Sequence, residues 1–129
     1  MKKGVIFILV CIVMAGCGGS SNITIDTEAL ADDIYSGIAW QDQIGAVDLD
    51  KALSLYGIPA DAVASGKVYI STNATAEEIA VLEAASSDQV SVLEEGVRAR
   101  VEAQKASFES YNAEEVPKLD HAYIKTNGN

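Results

Sequence analysis

The stretch from Ser86 to Tyr111 constrains the fold more than any other part of the chain. Leu93, Val97, Val101, Phe108 and Tyr111 recur at spacings of four, four, seven and three, which puts them on one face of a helix. Ser86 and Gln89 stand where a capping box would open it. Glu94 with Arg98, Arg98 with Glu102 and Lys105 with Glu109 are opposite charges four residues apart, the pattern of a solvated helix face. At about 1.5 Å per residue such a helix exceeds about 30 Å, long enough to cover a whole sheet. An apolar stripe of that length has to be laid against another element.

The remaining segments supply candidates for that surface. From Asp26, placed to cap a first turn, Leu30, Ile34 and Ile38 recur every four residues and predict a helix that Gly37 weakens at its far end. Trp40 to Ile44 reads as a loop. Asp48 or Asp50 caps a short helix using Leu49, Ala52, Leu53 and Leu55, which Gly57 ends and Pro59 keeps from extending. Pro59 to Val63 is at most one helical turn. Val68 to Ser71 alternates as a half-buried strand opened by Gly66, and Asn73-Ala74 makes a turn.

Glu77 to Ala84 carries two conflicting signals. Thr75 with Glu78 matches a capping box, whereas Ile79 with Val81 alternates as a strand; on local signals alone the balance leans to helix. After the long helix, Asn112 and Pro117 punctuate a connector, and Ala122 to Lys125 reads as a strand. Asn127-Gly128 is the strongest two-residue hairpin signal, because both central positions of a type I′ turn need positive φ. A hairpin turn without a return strand points to a fragment; a frayed polar tail is the plainer alternative.

The first residues concern address rather than shape. Lys2 and Lys3 precede an unbroken apolar run from Val5 to Val13, and Met14-Ala15-Gly16 leads into Cys17. That order is a lipoprotein secretion leader, with cleavage between Gly16 and Cys17 and a lipid on the Cys17 thiol. The apolar run is short for a membrane span, which takes about 20 residues. Residues 1–16 are therefore read as the leader, 17–25 as a lipidated tether rich in Gly and Ser, and 26–129 as one domain. Cys11 leaves with the leader and Cys17 is acylated, so no thiol remains for a disulfide, a metal or a nucleophile. The fold must hold by its core alone.

Charge narrows the partners. The chain carries a formal −10, and removing Lys2 and Lys3 makes the processed chain more acidic still. Nucleic acid needs a Lys/Arg surface and is not expected as a partner. A body of this charge also stands off from anionic lipid, leaving the anchor as the membrane contact.

Several of these segments, taken in order, resemble the bacterial lipoproteins grouped as domain of unknown function 4358. The resemblance rests on the lipoprotein start, Leu55-Tyr56-Gly57-Ile58, Val68-Tyr69-Ile70-Ser71, Ala76-Glu77-Glu78-Ile79-Ala80-Val81, Arg98 through Gln104-Lys105-Ala106-Ser107-Phe108, Tyr111-Asn112 and Val116-Pro117-Lys118-Leu119. It implies an α+β domain, a two-layer sandwich with a long helix packed on a small antiparallel sheet. It also implies a strand at Glu77 to Ala84, and a further C-terminal strand and helix that this chain lacks. The family brings no assigned activity.

Chemistry-bearing constellations are sparse. His121 is the single histidine, and next to a strand start such a residue is ordinarily a surface group. Zinc wants three or four His or Cys ligands, which the processed chain cannot assemble. Asp42, Asp48 and Asp50 lack the spacing of a calcium loop. The acidic pairs Asp32-Asp33, Glu77-Glu78, Glu94-Glu95 and Glu114-Glu115 read as solvated faces, although two carboxylates across a cleft would serve a glycan hydrolase. Ser107 and Ser110 have no base nearby in sequence. No residue is assigned to catalysis, and neither a cofactor nor a metal is expected. Trp40, Tyr35 and Tyr56 form the main aromatic group and, with an exposed sheet edge, are the candidates for contact with a partner.

These readings converge on a lipid-anchored protein on the outer face of the cell membrane, a non-enzymatic binding or accessory domain whose partner would be an envelope protein or polysaccharide. A small carboxylate-dependent hydrolase acting on envelope glycans is the rival.

Overall fold

The computed structural model describes residues 10–15 and 25–127. In chain order the strands are β1 (Val10–Ala15), β2 (Ile44–Val47), β3 (Val63–Ser71), β4 (Glu78–Ala84) and β5 (Tyr123–Asn127). The helices are α1 (Thr27–Gly37), α2 (Leu49–Tyr56), α3 (Val90–Tyr111) and α4 (Val116–Asp120). The sheet runs β2-β3-β4-β1-β5. β2, β3 and β4 are antiparallel neighbours, with Val47 opposite Val68 and Val68 opposite Ala80. β1 lies parallel between β4 and β5, Val10 opposite both Ile79 and Tyr123.

Local chemistry sets most of the element ends. Asp26 caps α1, its carboxylate accepting from the Glu28 and Ala29 N–H groups at 3.0 Å. Asp48, rather than Asp50, caps α2. Gly57 closes α2 in the left-handed region at φ 66°, its N–H returning to the end of the helix, a conformation glycine adopts without a Cβ penalty. The turn over Ala60–Ala62 is a single 3₁₀ turn.

Glu78 to Ala84 is a strand. Ile79, Ala80, Val81 and Leu82 are all fully buried, which requires apolar neighbours on both faces of the chain, as in the middle of a sheet. The capping box with Thr75 does not form, because the Glu78 carboxylate turns inward to Arg100 and the Tyr56 hydroxyl.

The fold is α+β, with the long helix on a sheet whose β2, β3 and β4 form a small antiparallel unit and whose β1 and β5 extend it in parallel. Val68, Ala80, Leu82 and Ala84 on one sheet face meet Ala52, Leu53 and Tyr56 of α2 and Leu93 and Val97 of α3. α1 adds helical cover on the other face, where Ala31 packs with Tyr69, Ile79 and Val81. The far half of α3 builds a third cluster from Val101, Phe108, Ala76 and Leu119.

Tyr111, placed on the apolar stripe by spacing, is exposed, and its hydroxyl donates to the Asn73 carbonyl at 2.6 Å. The helix also pairs its charges differently from the four-residue pattern: Lys105 bonds Glu102 at 3.1 Å and Asp120 at 3.2 Å, while Glu94 accepts from Thr126.

β1 falls within the segment read as the leader, and the structure holds it in the sheet. Gly16, Cys17 and the tether up to residue 24 lie outside the described residues, as do Gly128 and Asn129.

Candidate functional site

The aromatic candidates separate into two places. Tyr35, near the end of α1, stacks on Tyr69 of β3 with ring centroids 4.6 Å apart and planes 3° off parallel. Trp40 also stacks with Tyr35, centroids 6.4 Å apart, and its indole N–H donates to the Tyr35 carbonyl at 2.8 Å. The chain leaving α1 is thus held against the sheet by a three-ring stack. Tyr35 then lines an open cleft of about 510 Å³ along β2, with Gln43 to Val47 and Ile70 to Thr72. β2 is the sheet's edge strand, so the cleft offers unpaired backbone beside an exposed ring.

Tyr56 does not join this group. It is buried on the opposite sheet face, donates its hydroxyl to Glu78, and lies beneath the Arg100 guanidinium at 5.7 Å. Arg100 reaches Glu78 with two hydrogen bonds, at 2.9 and 3.2 Å. Burial pulls the Arg100 proton affinity down, and the Glu78 carboxylate more than reverses that, so its pKa ends above the ordinary value. The result is a buried tie between α2, β4 and α3.

The acidic pairs are not all solvated faces. Glu77, Glu78 and Glu115 are buried, each with its oxygens committed. Glu77 accepts from the Gln41 and Asp42 N–H groups at 2.8 and 2.9 Å, pinning the loop between α1 and β2. Glu115 accepts from the Ala76 N–H at 2.8 Å and from Lys118, which also bridges to Gln41 at 2.7 Å. Asp42 in turn holds the Thr72 hydroxyl, whose bond keeps the Asp42 carboxyl below the usual aspartate range. The three loops at this end of the sheet are laced together by carboxylates acting as acceptors for backbone N–H, a structural use of charge.

Sequence spacing could not reveal this lacing, since Glu77 and Glu115 find their partners about 35 to 39 residues away. A weak signal existed in Glu77-Glu78 directly preceding the apolar run, where a strand start buries them. His121 is exposed, its Nδ1 against the Pro117 carbonyl at 2.7 Å. Ser107 is exposed; Ser110 bonds back to its own helix. Among the described residues, no group of three or more His, Cys, Asp or Glu side chains could hold a metal ion. Nor is any described helix long and apolar enough to cross a membrane.

An α+β domain with a long helix over an antiparallel sheet, loops tied by buried carboxylates, and an aromatic stack beside an edge strand defines the class. The family model for a domain of unknown function, DUF4358, matches residues 41–129, and the chain belongs to that family. No curated protein and no solved structure matches the chain.

Proposed function

We propose that this chain is a lipid-anchored lipoprotein of the cell envelope, held on the outer face of the membrane through Cys17, whose domain is a non-enzymatic binding or accessory module. The observation that carries the reading is the order Lys2-Lys3, apolar run, Met14-Ala15-Gly16, Cys17. A diacylated thiol meets the need for about two chains in stable anchoring. Commitment of Glu77, Glu78 and Glu115 to backbone and cationic donors supports a scaffold rather than a carboxylate hydrolase. The contact surface for an envelope protein or polysaccharide is the Tyr35–Trp40 stack and the cleft along β2.

Mass spectrometry of the protein recovered from membranes tests the anchor: the expected amino terminus is an acylated Cys17, and Cys17→Ala shifts the protein out of the membrane fraction. A cytosolic, unacylated chain starting at Met1 would refute it. Trp40 is the single tryptophan, so its fluorescence reports directly on the proposed surface. A saturable emission change on adding purified envelope polysaccharide is the expected result for a glycan partner.

A further inference from the structure

β2 is the outermost strand of the sheet, and among the described residues β3 is its one strand neighbour. In an antiparallel pair alternate residues turn their N–H and C=O away from the partner, so the outer side of Ile44–Val47 presents a ladder for another backbone. The usual guards of such an edge are missing, shortness apart. The strand holds no charge and no proline, and its register with β3 runs without a bulge.

Both faces of this edge ask for apolar side chains. Gly45 stands opposite Ile70, and a Cβ built on Gly45 meets nothing within 4 Å, which leaves a notch beside the half-buried Ile70 and Val47. On the other face Ala46 stands opposite Tyr69, whose ring stacks on Tyr35 at the rim of the cleft. Charge gathers instead at the two ends. Asp42 precedes the strand and Asp48 follows it, six residues on, or about 20 Å of extended chain. Asp50 adds to that end, and Lys51 is the single cation between Gln41 and Gly57.

We infer that the cleft along β2 takes an extended peptide segment of a protein partner, added to the sheet as a further strand, with about four apolar residues flanked by Lys or Arg. This rests on the reading of the domain as a binding module with its contact surface at this cleft, and it chooses the protein partner over the polysaccharide. Tyr35 is already stacked with Tyr69 and Trp40, whereas the backbone ladder matches only another peptide. A second copy of the chain does not fit. Antiparallel pairing centred on Gly45 sets Asp42 against the Asp48 of the other copy, and in-register parallel pairing sets Asp42 against Asp42.

The test titrates full-length protein into the dye-labelled peptide Lys-Val-Leu-Ile-Val-Thr-Lys, read by anisotropy, and maps the complex by hydrogen exchange. Saturable binding with protection over residues 43–47 is the expected result. Gly45→Val, which fills the notch, weakens it about tenfold, as do glutamates in place of the peptide's lysines. Asp48→Asn, which keeps the α2 cap, weakens it about threefold. Equal binding by the peptide with its central amides N-methylated, or by the glutamate peptide, overturns the inference. So does exchange over 43–47 as slow as in β4 before any peptide is added, because the edge is then already covered. Purified envelope polysaccharide separates the failures. Protection of 43–47 by the polysaccharide and not by the peptide sinks the peptide and leaves the binding cleft; protection by neither sinks both.

Discussion

The two faces of the sheet each carry a tyrosine hydroxyl, a cation and a carboxylate, in opposite surroundings. On the α3 face a tyrosine hydroxyl and a guanidinium converge on Glu78. On the α1 face the Tyr69 hydroxyl and the Lys67 ammonium converge on Asp32, the lysine at 2.7 Å and also over the Tyr69 ring at 5.4 Å. The Glu78 side chain is 3 % exposed and that of Asp32 is 50 % exposed. Burial, and not the identity of the groups, decides which trio the fold depends on. A buried carboxylate stripped of its cation has no water to turn to, while an exposed one does.

Breaking the buried trio should have the largest effect. Arg100→Met leaves Glu78 charged and uncompensated, and is expected to cost about 3–5 kcal/mol in urea unfolding. Adding Glu78→Gln to that variant should recover much of the loss, because it removes the stranded charge; failure to recover would place the cost in packing instead. Next comes Gly96→Ala on the same face. Its new Cβ would collide with Ile58 and stand 3.0 Å from the Tyr56 carbonyl, pushing α3 off α2 for about 1–3 kcal/mol. On the α1 face, Lys67→Met should shift the urea midpoint far less than either, since water screens what remains.

The smallest effect is a pH dependence that sharpens the contrast. Hydrogen bonds from Lys67 and then Tyr69 hold the Asp32 carboxyl below the ordinary aspartate value of 3.8. A depressed folded-state value contributes stability that is complete above 3.8 and is lost as pH falls from there through the lower folded value. Asp32→Asn should therefore flatten the acid limb by lowering the neutral-pH plateau, a small loss at this exposed site, while stability below that range stays as in the parent chain. A profile identical to that of the parent chain would mean the exposed trio contributes nothing measurable.

What the sequence made legible was local. Asp26, Asp48 and Gly57 announced the ends of two helices because caps act within one turn of the chain. The stripe from Leu93 to Phe108 announced α3, since burial of one face repeats with the helical period. β2 went unread because Ile44–Val47 contains Gly45 and Ala46, weak strand formers made into a strand only by pairing with β3. α4 went unread because Pro117 looks like a breaker, yet it sits in the helix's first turn, where its missing N–H costs nothing. At the site, the Tyr35–Trp40 pairing was visible from proximity in sequence. The burial of Tyr56 was not, because Arg100 and Glu78 lie far from it along the chain.

The firm start of α1 has a mechanical consequence if the protein is moored at Cys17 as proposed. Asp26 caps that helix, which packs on the sheet through Ala31, and nine peptide units separate Asp26 from Cys17 in the sequence. Fully drawn out, they span about 30 Å. The anchored domain would patrol a thin shell above the lipid headgroups, with the helix on the Asp32 face as its point of attachment. A partner would have to come within that radius to be met.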